Sequence, residues 1–130
     1  MSAILLAANL LPLSLVTYLE TLGYEVTMAE DGRGLLRSLQ RQTPDLLILD
    51  AGVLLTSGLG TCDSLGRVLE QRDLSVIMTS ALSGLSERSV AQLARARVVL
   101  NHPTAGEVAA VAAGFMGDIQ TPARLWRTAS

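Results

Sequence analysis

The chain has 130 residues, of which 49% are hydrophobic and 17% are charged, and its formal net charge is −2. This length suits one domain, and this apolar content excludes a disordered tail. All ten basic residues are arginines, and the near balance of basic and acidic residues excludes the strongly basic surface that binds nucleic acid. Cys62 is the single cysteine and His102 the single histidine. The chain therefore cannot form an internal disulfide or a metal site that needs several cysteines or several histidines.

The apolar start of the chain, Ala3–Leu19, is as apolar as a signal peptide but lacks the other features of one. No basic residue precedes it, polar residues and Pro12 interrupt it, and no small-residue cleavage site follows it. It also falls short of the roughly 18–20 clean apolar residues that cross a membrane. We therefore predict a buried strand followed by a helix, with no membrane span and, by default, a cytoplasmic location.

Short apolar runs alternate with longer amphipathic segments along most of the chain. The predicted strands are Ala3–Ala8, Glu25–Ala29, Asp45–Asp50, Leu74–Thr79 and Val98–Asn101. The predicted helices run from Pro12 to the stop at Gly23, from about Gly32 to the break at Thr43-Pro44, and near Cys62–Gln71, Ser86–Arg95 and Thr104–Phe115. Ala51–Gly60 is predicted as a loop of small residues. The domain is expected to span residues 1–116, and residues 117–130 to form a tail or linker remnant.

Five strands that alternate with five helices predict an α/β fold with a parallel sheet covered on both faces. In such a sheet the functional surface lies beyond the carboxyl ends of the strands. The segments expected there are Ala7–Leu10, Asp50–Val53, Ser80-Ala81 and His102-Pro103.

Several motifs in register point to one family. They are Gly23–Val26 before the second strand, Pro44–Asp50, Ser57-Gly58-Leu59, Leu74–Ala81, and His102-Pro103 after the fifth strand. Over about residues 3–116 the chain resembles the receiver domain of two-component response regulators. The resemblance implies a flavodoxin-like (βα)5 fold with strand order 2-1-3-4-5. It also implies Asp50 at the phosphoacceptor position, Ser80 at the phosphate-sensing position and a cis peptide bond before Pro103, although X-Pro bonds are usually trans.

The chain departs from the family at three functional positions. The acidic pair that holds Mg²⁺ in the family falls on Leu6 and Ala7 when residues are counted back from Asp50 without gaps. When the ends of the first strands are matched instead, it falls on Ala8 and Asn9. The family's lysine is replaced by His102, and its switch aromatic by Val99.

These losses remove most of what phosphoryl transfer requires. Mg²⁺ binds through carboxylates, and only Asp50 remains as a weak candidate ligand. We therefore expect no cofactor, with Mg²⁺ relevant only if Asp50 is a genuine phosphoacceptor with a weakened metal site. The alternative is a purely structural role for both residues. Asp50 would then anchor a loop or cap the turn at Ala51-Gly52, and Ser80 would be a turn hydroxyl.

We predict an atypical, non-enzymatic receiver, or pseudo-receiver. It would act in phosphorelay signalling through protein–protein contact. A small-molecule or nucleotide pocket at the same sheet edge is a further alternative. Cys62 is expected to be a half-buried helix residue, with a lowered thiol pKa near the helix start as the alternative.

The last helix suggests an interface, because Val108–Phe115 carries no polar side chain. We predict a homodimer or another protein contact through the fourth helix, the fifth strand and the fifth helix, with no nucleic-acid partner. The expected interface residues are Arg88, Gln92 and Arg95 as a polar rim and whichever of Ala109, Ala112 and Ala113 face outward. The alternatives are cover by the tail that carries Trp126, or simple exposure of small alanine side chains.

Overall fold

The computed structural model describes residues 2–9, 13–72, 74–81 and 84–116, and the predictions for Leu10, Pro12 and the tail 117–130 with Trp126 lie outside them. The strands are β1 (Ala3–Ala7), β2 (Glu25–Ala29), β3 (Leu46–Asp50), β4 (Ser75–Ser80) and β5 (Val98–Asn101). The helices are α1 (Leu13–Thr21), α2 (Gly32–Arg41), α3 (Ala51–Ser57), α4 (Leu59–Gln71), α5 (Gly84–Ala94) and α6 (Ala105–Phe115).

The five strands form one parallel sheet in the order β2-β1-β3-β4-β5, which confirms the predicted fold class and strand order. The register places Ala7 beside Leu49, Asp50 beside Thr79, and Ser80 beside Asn101. The carboxyl ends of β3, β4 and β5 therefore meet at one edge of the sheet.

Each face of the sheet has its own apolar core. Leu47 and Leu49 of β3 pack with α2, α3, α4 and α5, whereas Leu46 and Ile48 pack with α1 and α6. All four side chains are fully buried. The uninterrupted apolar run of β3 follows from this two-sided burial, since a strand covered on both faces has no solvent-facing positions.

The predicted loop Ala51–Gly60 is wrong, because this stretch contains helix α3 and the start of α4. Val53 and Leu54 are buried against the core, and Gly58 with φ 82° separates the two helices. Small and hydroxylated residues suggested a loop, but burial of the apolar positions stabilises a helix despite modest intrinsic propensity.

Helix α6 is covered within the chain, and the prediction that Ala109, Ala112 or Ala113 faces outward is wrong. All three side chains are buried, at 1%, 0% and 0% exposure, between the sheet and α1. The absence of polar side chains therefore reflects burial against the sheet and α1 at most positions, while Ala110 is half-buried and Gly114 is exposed. In the described part of the chain no helix is long and apolar enough to span a membrane.

The predicted polar rim does not form beside an apolar strip. Arg88, Gln92 and Arg95 are exposed on or just after α5, but the Arg95 guanidinium lies 3.5 Å from the Glu70 carboxylate of α4. Arg95 therefore pairs with α4. A homodimer through this surface stays a prediction. The exposed apolar strip that suggested it is not found among the described residues.

Candidate functional site

A cleft of about 370 Å³ opens at the carboxyl edge of the sheet. It brings together five residues that the sequence placed there, Asp50, Ser80, Ala81, His102 and Pro103, and its lining also includes Thr79 and Thr104. The strands β3, β4 and β5 all end at this cleft. Its position is the one expected for the functional surface of a parallel α/β sheet.

Asp50 is held by its neighbour on β4. The Thr79 hydroxyl donates a hydrogen bond of 3.2 Å to Asp50 Oδ1, and the two residues are register partners. Asp50 precedes α3 but makes no side-chain capping bond, so the predicted cap at Ala51-Gly52 is wrong. Sequence reasoning missed Thr79, although the in-register ends of two adjacent parallel strands would have indicated this pairing.

Asn9 lies on the other side of Asp50. Its amide Nδ2 donates a 3.4 Å hydrogen bond to Thr56 Oγ1 on α3. A Cβ placed on Gly52 would lie 3.1 Å from Asp50 Oδ2 and 3.3 Å from Asn9 Nδ2, so both side chains flank this glycine. The absence of a side chain at Gly52 therefore leaves room for Asn9 and Asp50 to come close.

The two possible positions of the family's acidic pair, Leu6 and Ala7 or Ala8 and Asn9, have different surroundings in the structure. Leu6 and Ala7 are buried in β1 at 2% and 0% exposure and pair with Ile48 and Leu49 of β3. Neither residue lines the cleft. Ala8, which is also buried, and the exposed Asn9 follow the end of β1, and the Asn9 amide lies beside Gly52, as the Asp50 carboxylate does.

This donor set does not fit a magnesium site. Mg²⁺ demands oxygen ligands, with carboxylates replacing some of its tightly held waters. Within the part of the chain that the structure describes, Asp50 is the only carboxylate that lines the cleft, and Asn9 directs its NH₂ group to Thr56. Among the described residues no group of three or more His, Cys, Asp and Glu side chains could hold a metal ion.

His102 begins the turn out of β5. It adopts φ 46°, a left-handed conformation uncommon for residues other than glycine, and its N–H donates to the Ser80 carbonyl at 2.9 Å. The peptide bond to Pro103 is trans, so the cis bond implied by the resemblance is wrong. The left-handed turn at His102 redirects the chain and leaves the imidazole exposed at the cleft.

The two remaining family positions lie on the neighbouring strands β4 and β5. Ser80 is 3% exposed and lines the cleft beside Thr79. Val99 is half-buried, pairs with Met78 in the sheet and packs against the core that contains α5. Val99 has no ring that could move between a buried and an exposed position.

Cys62 is a half-buried residue of α4, as predicted. Its thiol donates to the Leu54 carbonyl at 3.2 Å. Burial, and secondarily the negative charge of Asp63, raise the pKa of the Cys62 thiol above its ordinary value. The alternative of a lowered pKa is therefore wrong, and the thiol is a weak nucleophile at neutral pH.

Known proteins share this architecture and sequence pattern. The family model of the response regulator receiver domain matches residues 9–111. A probable transcriptional regulator, ycf27, of Porphyridium aerugineum is 36% identical over 74 residues, and its counterpart in Cyanophora paradoxa is 35% identical over 74 residues. Each match covers 57% of this chain and 30% of the relative, so the match spans about a third of those regulators.

Solved structures with low identity show the same fold. A CheY-like receiver domain protein from Methanospirillum hungatei has a TM-score of 0.75 at 17% identity, with 91% of this chain and 95% of that one covered. Chemotaxis protein CheY4 of Vibrio cholerae has a TM-score of 0.71 at 18% identity, with 88% and 98% covered. The chain belongs to the response regulator receiver domain family, whose members are modules of two-component signalling.

Proposed function

We propose that this chain is an atypical receiver that signals through protein–protein contact and has lost Mg²⁺-dependent phosphorylation of Asp50. One observation carries the proposal: among the described residues Asp50 is the only carboxylate lining the cleft, and the side chains beside it or beside the adjacent Gly52, Thr79 and Asn9, are neutral. A metal that bridges several carboxylates has no second anionic ligand there.

The remaining groups supply little of the charge neutralisation that phosphoryl transfer needs. A hydroxyl at Thr79 donates one hydrogen bond, and His102 is exposed at the rim of the cleft. Histidine is shorter than lysine and is not a permanent cation near neutral pH. A phosphoryl group on Asp50 would therefore lack both its metal and its fixed positive charge.

We place this module in a cytoplasmic regulator, because the relatives that it matches are described as probable transcriptional regulators. In this proposal the chain is a non-enzymatic contact module that needs no cofactor. The partner is a protein of the same signalling pathway.

Thermal unfolding with Mg²⁺ and beryllofluoride, a phosphoryl mimic, tests the loss of the metal site. A ligand that binds only the folded state raises stability by RT ln(1 + [L]/Kd). We expect melting curves with and without about 10 mM Mg²⁺ and beryllofluoride to superimpose. A reproducible rise of several degrees would contradict the proposal.

A matched variant makes a negative result informative. The double substitution Ala8→Asp with Asn9→Asp restores acidic side chains after β1, near Asp50. If the missing carboxylates are the reason for weak metal binding, this variant gains a shift with Mg²⁺ that the native chain lacks. A shift of equal size in both proteins would contradict that reason.

The second candidate function is a genuine phosphoacceptor with a weakened metal site. It is favoured by the half-buried position of Asp50 in an open cleft beside a hydroxyl donor. Incubation with acetyl phosphate followed by intact-protein mass spectrometry tests it, with Asp50→Asn as the control. We expect no phosphoryl adduct on the native chain, and an adduct absent from Asp50→Asn would establish the second function.

A further inference from the structure

The outer face of α2 carries three arginines, one helical turn apart. Arg33, Arg37 and Arg41 are exposed, while Leu35 and Leu39 of the same helix are fully buried. Residues four apart in a helix are about 6 Å apart along its axis, so the three side chains span about 12 Å. We call these three residues the α2 arginine stripe.

Among the described residues, none of the three arginines of the stripe forms an ion pair with an acidic side chain. The ion pair found there joins Arg95 and Glu70, on other parts of the chain. Like charges four residues apart on a helix repel each other, so the stripe destabilises an isolated α2. An anionic partner would remove this repulsion.

The stripe also borders a groove of about 400 Å³ next to the end of β2. Arg37 and Arg41 line it from α2, and the exposed Glu30 and Asp31 line it from the connection that precedes α2. Asp31 has a structural role there, since its carboxylate accepts a 2.7 Å hydrogen bond from the Gly34 N–H at the start of the helix. The groove is therefore positive along α2 and negative at the β2 end.

We propose that the α2 arginine stripe docks an acidic helix of a protein partner, with carboxylates at every fourth residue. Guanidinium groups form paired hydrogen bonds with carboxylates, and two helices that lie side by side match their charges at the same 6 Å repeat, about one turn. This surface lies on α2, away from the cleft at Asp50, and the proposal does not depend on whether Asp50 is phosphorylated.

The charge distribution favours an acidic helix over a nucleic acid or a membrane. Those larger polyanions need a broad basic surface. The stripe is one residue wide, Glu30 and Asp31 stand at its edge, and the whole chain carries a net charge of −2. The two carboxylates repel an extended anionic surface that covers the whole groove.

The test uses fluorescence anisotropy with the full chain and two labelled synthetic peptides. One is a helical peptide with glutamates at every fourth position, and the other has the same composition with the glutamates distributed around the helix. We expect the first to bind about tenfold more tightly at low salt, and its affinity to fall as salt screens the charges. Equal affinities for the two peptides would overturn the proposal.

Two double variants, each of which removes two positive charges, distinguish binding at this surface from non-specific electrostatic attraction. Arg37→Gln with Arg41→Gln should weaken binding of the first peptide about tenfold, since one helical turn of contacts is lost. Arg67→Gln with Arg97→Gln removes two exposed arginines elsewhere and should change it less than about twofold.

Equal losses for the two pairs would show non-specific attraction and overturn the proposal. Tighter binding of a DNA duplex or of phosphatidylserine vesicles than of the acidic peptide would assign the stripe to another class of partner and would also overturn it. Circular dichroism melts of each variant establish that a loss of binding is not a loss of folding.

Discussion

The Thr79 hydroxyl donates a hydrogen bond of 3.2 Å to the Asp50 carboxylate across two adjacent parallel strands. This bond orients the Asp50 side chain at the cleft. It also explains how a carboxylate at the end of a buried strand is accommodated in this chain.

The first prediction concerns the energetic coupling of this pair. A double-mutant cycle of Thr79→Val and Asp50→Ala should give a coupling free energy of about 1 kcal/mol, the usual contribution of one partly buried hydrogen bond. Urea unfolding at pH 7 measures it. As a control, the same cycle with Thr79→Ser in place of Thr79→Val should show little coupling, because the hydroxyl is kept. Additive effects in the first cycle would mean that the bond does not contribute to stability.

The second prediction concerns the contact between α2 and α3. A Cβ on Gly32 would lie 2.7 Å from Ser57 Cβ and 2.9 Å from Thr61 Cγ2, distances too short for packed carbon atoms. Gly32→Ala should therefore lower the free energy of unfolding by about 1–3 kcal/mol, as overpacking does in other cores.

The matched control for Gly32 is Gly60, which lies in helix α4 with open space around its Cβ position. Gly60→Ala should raise stability by about 0.5–1 kcal/mol through helix propensity and the unfolded-state entropy. Chemical denaturation of both variants gives the comparison. A neutral Gly32→Ala would show that α2 and α3 separate easily.

The sheet followed directly from the sequence, because continuous apolar runs such as Leu46–Leu49 occur where both faces of a strand are covered. The pattern did not distinguish a helix from a loop at Ala51–Ser57, where burial of Val53 and Leu54 decides the outcome. A similar limit applied to α6. An apolar helix indicates burial on more than one side, but its sequence does not say whether the second cover is another protein or α1.

The candidate site was predicted in part. Asp50, Ser80 and His102 do meet at one cleft, since strand ends converge whatever their side chains. The bond from Thr79 to Asp50 and the approach of Asn9 depend on the register and on the open space at Gly52, which are three-dimensional facts.

The third prediction concerns Cys62. Because burial raises the pKa of its thiol, the reactive thiolate is scarcer than in a free cysteine at the same pH. In the folded protein the rate of reaction with Ellman's reagent should rise only at higher pH than for glutathione. Unfolding in urea should bring the two profiles together, and a folded protein that reacts faster than glutathione at pH 7 would contradict the prediction.

The raised pKa of the Cys62 thiol also makes the stability of the protein depend on pH. A thiol whose pKa is raised on folding favours the protonated form in the native state. Its contribution is therefore fully present below the pKa of the unfolded thiol and declines as the pH rises beyond it. Cys62→Ser should reduce this decline in stability at alkaline pH.

The fourth prediction concerns the covered helix α6. Ala112 has no exposed surface between the sheet and α1, so Ala112→Glu places a carboxylate in an apolar core with no space or partner. Burial of an unpaired charge is costly enough that we expect a loss of at least about 3 kcal/mol, or failure to fold. Gln92→Glu on the exposed face of α5 is the control and should change stability by less than about 0.5 kcal/mol. Circular dichroism melts and sedimentation velocity separate the outcomes. A folded Ala112→Glu variant that differs from the native chain only in its oligomeric state would show instead that this face of α6 is an interface between molecules.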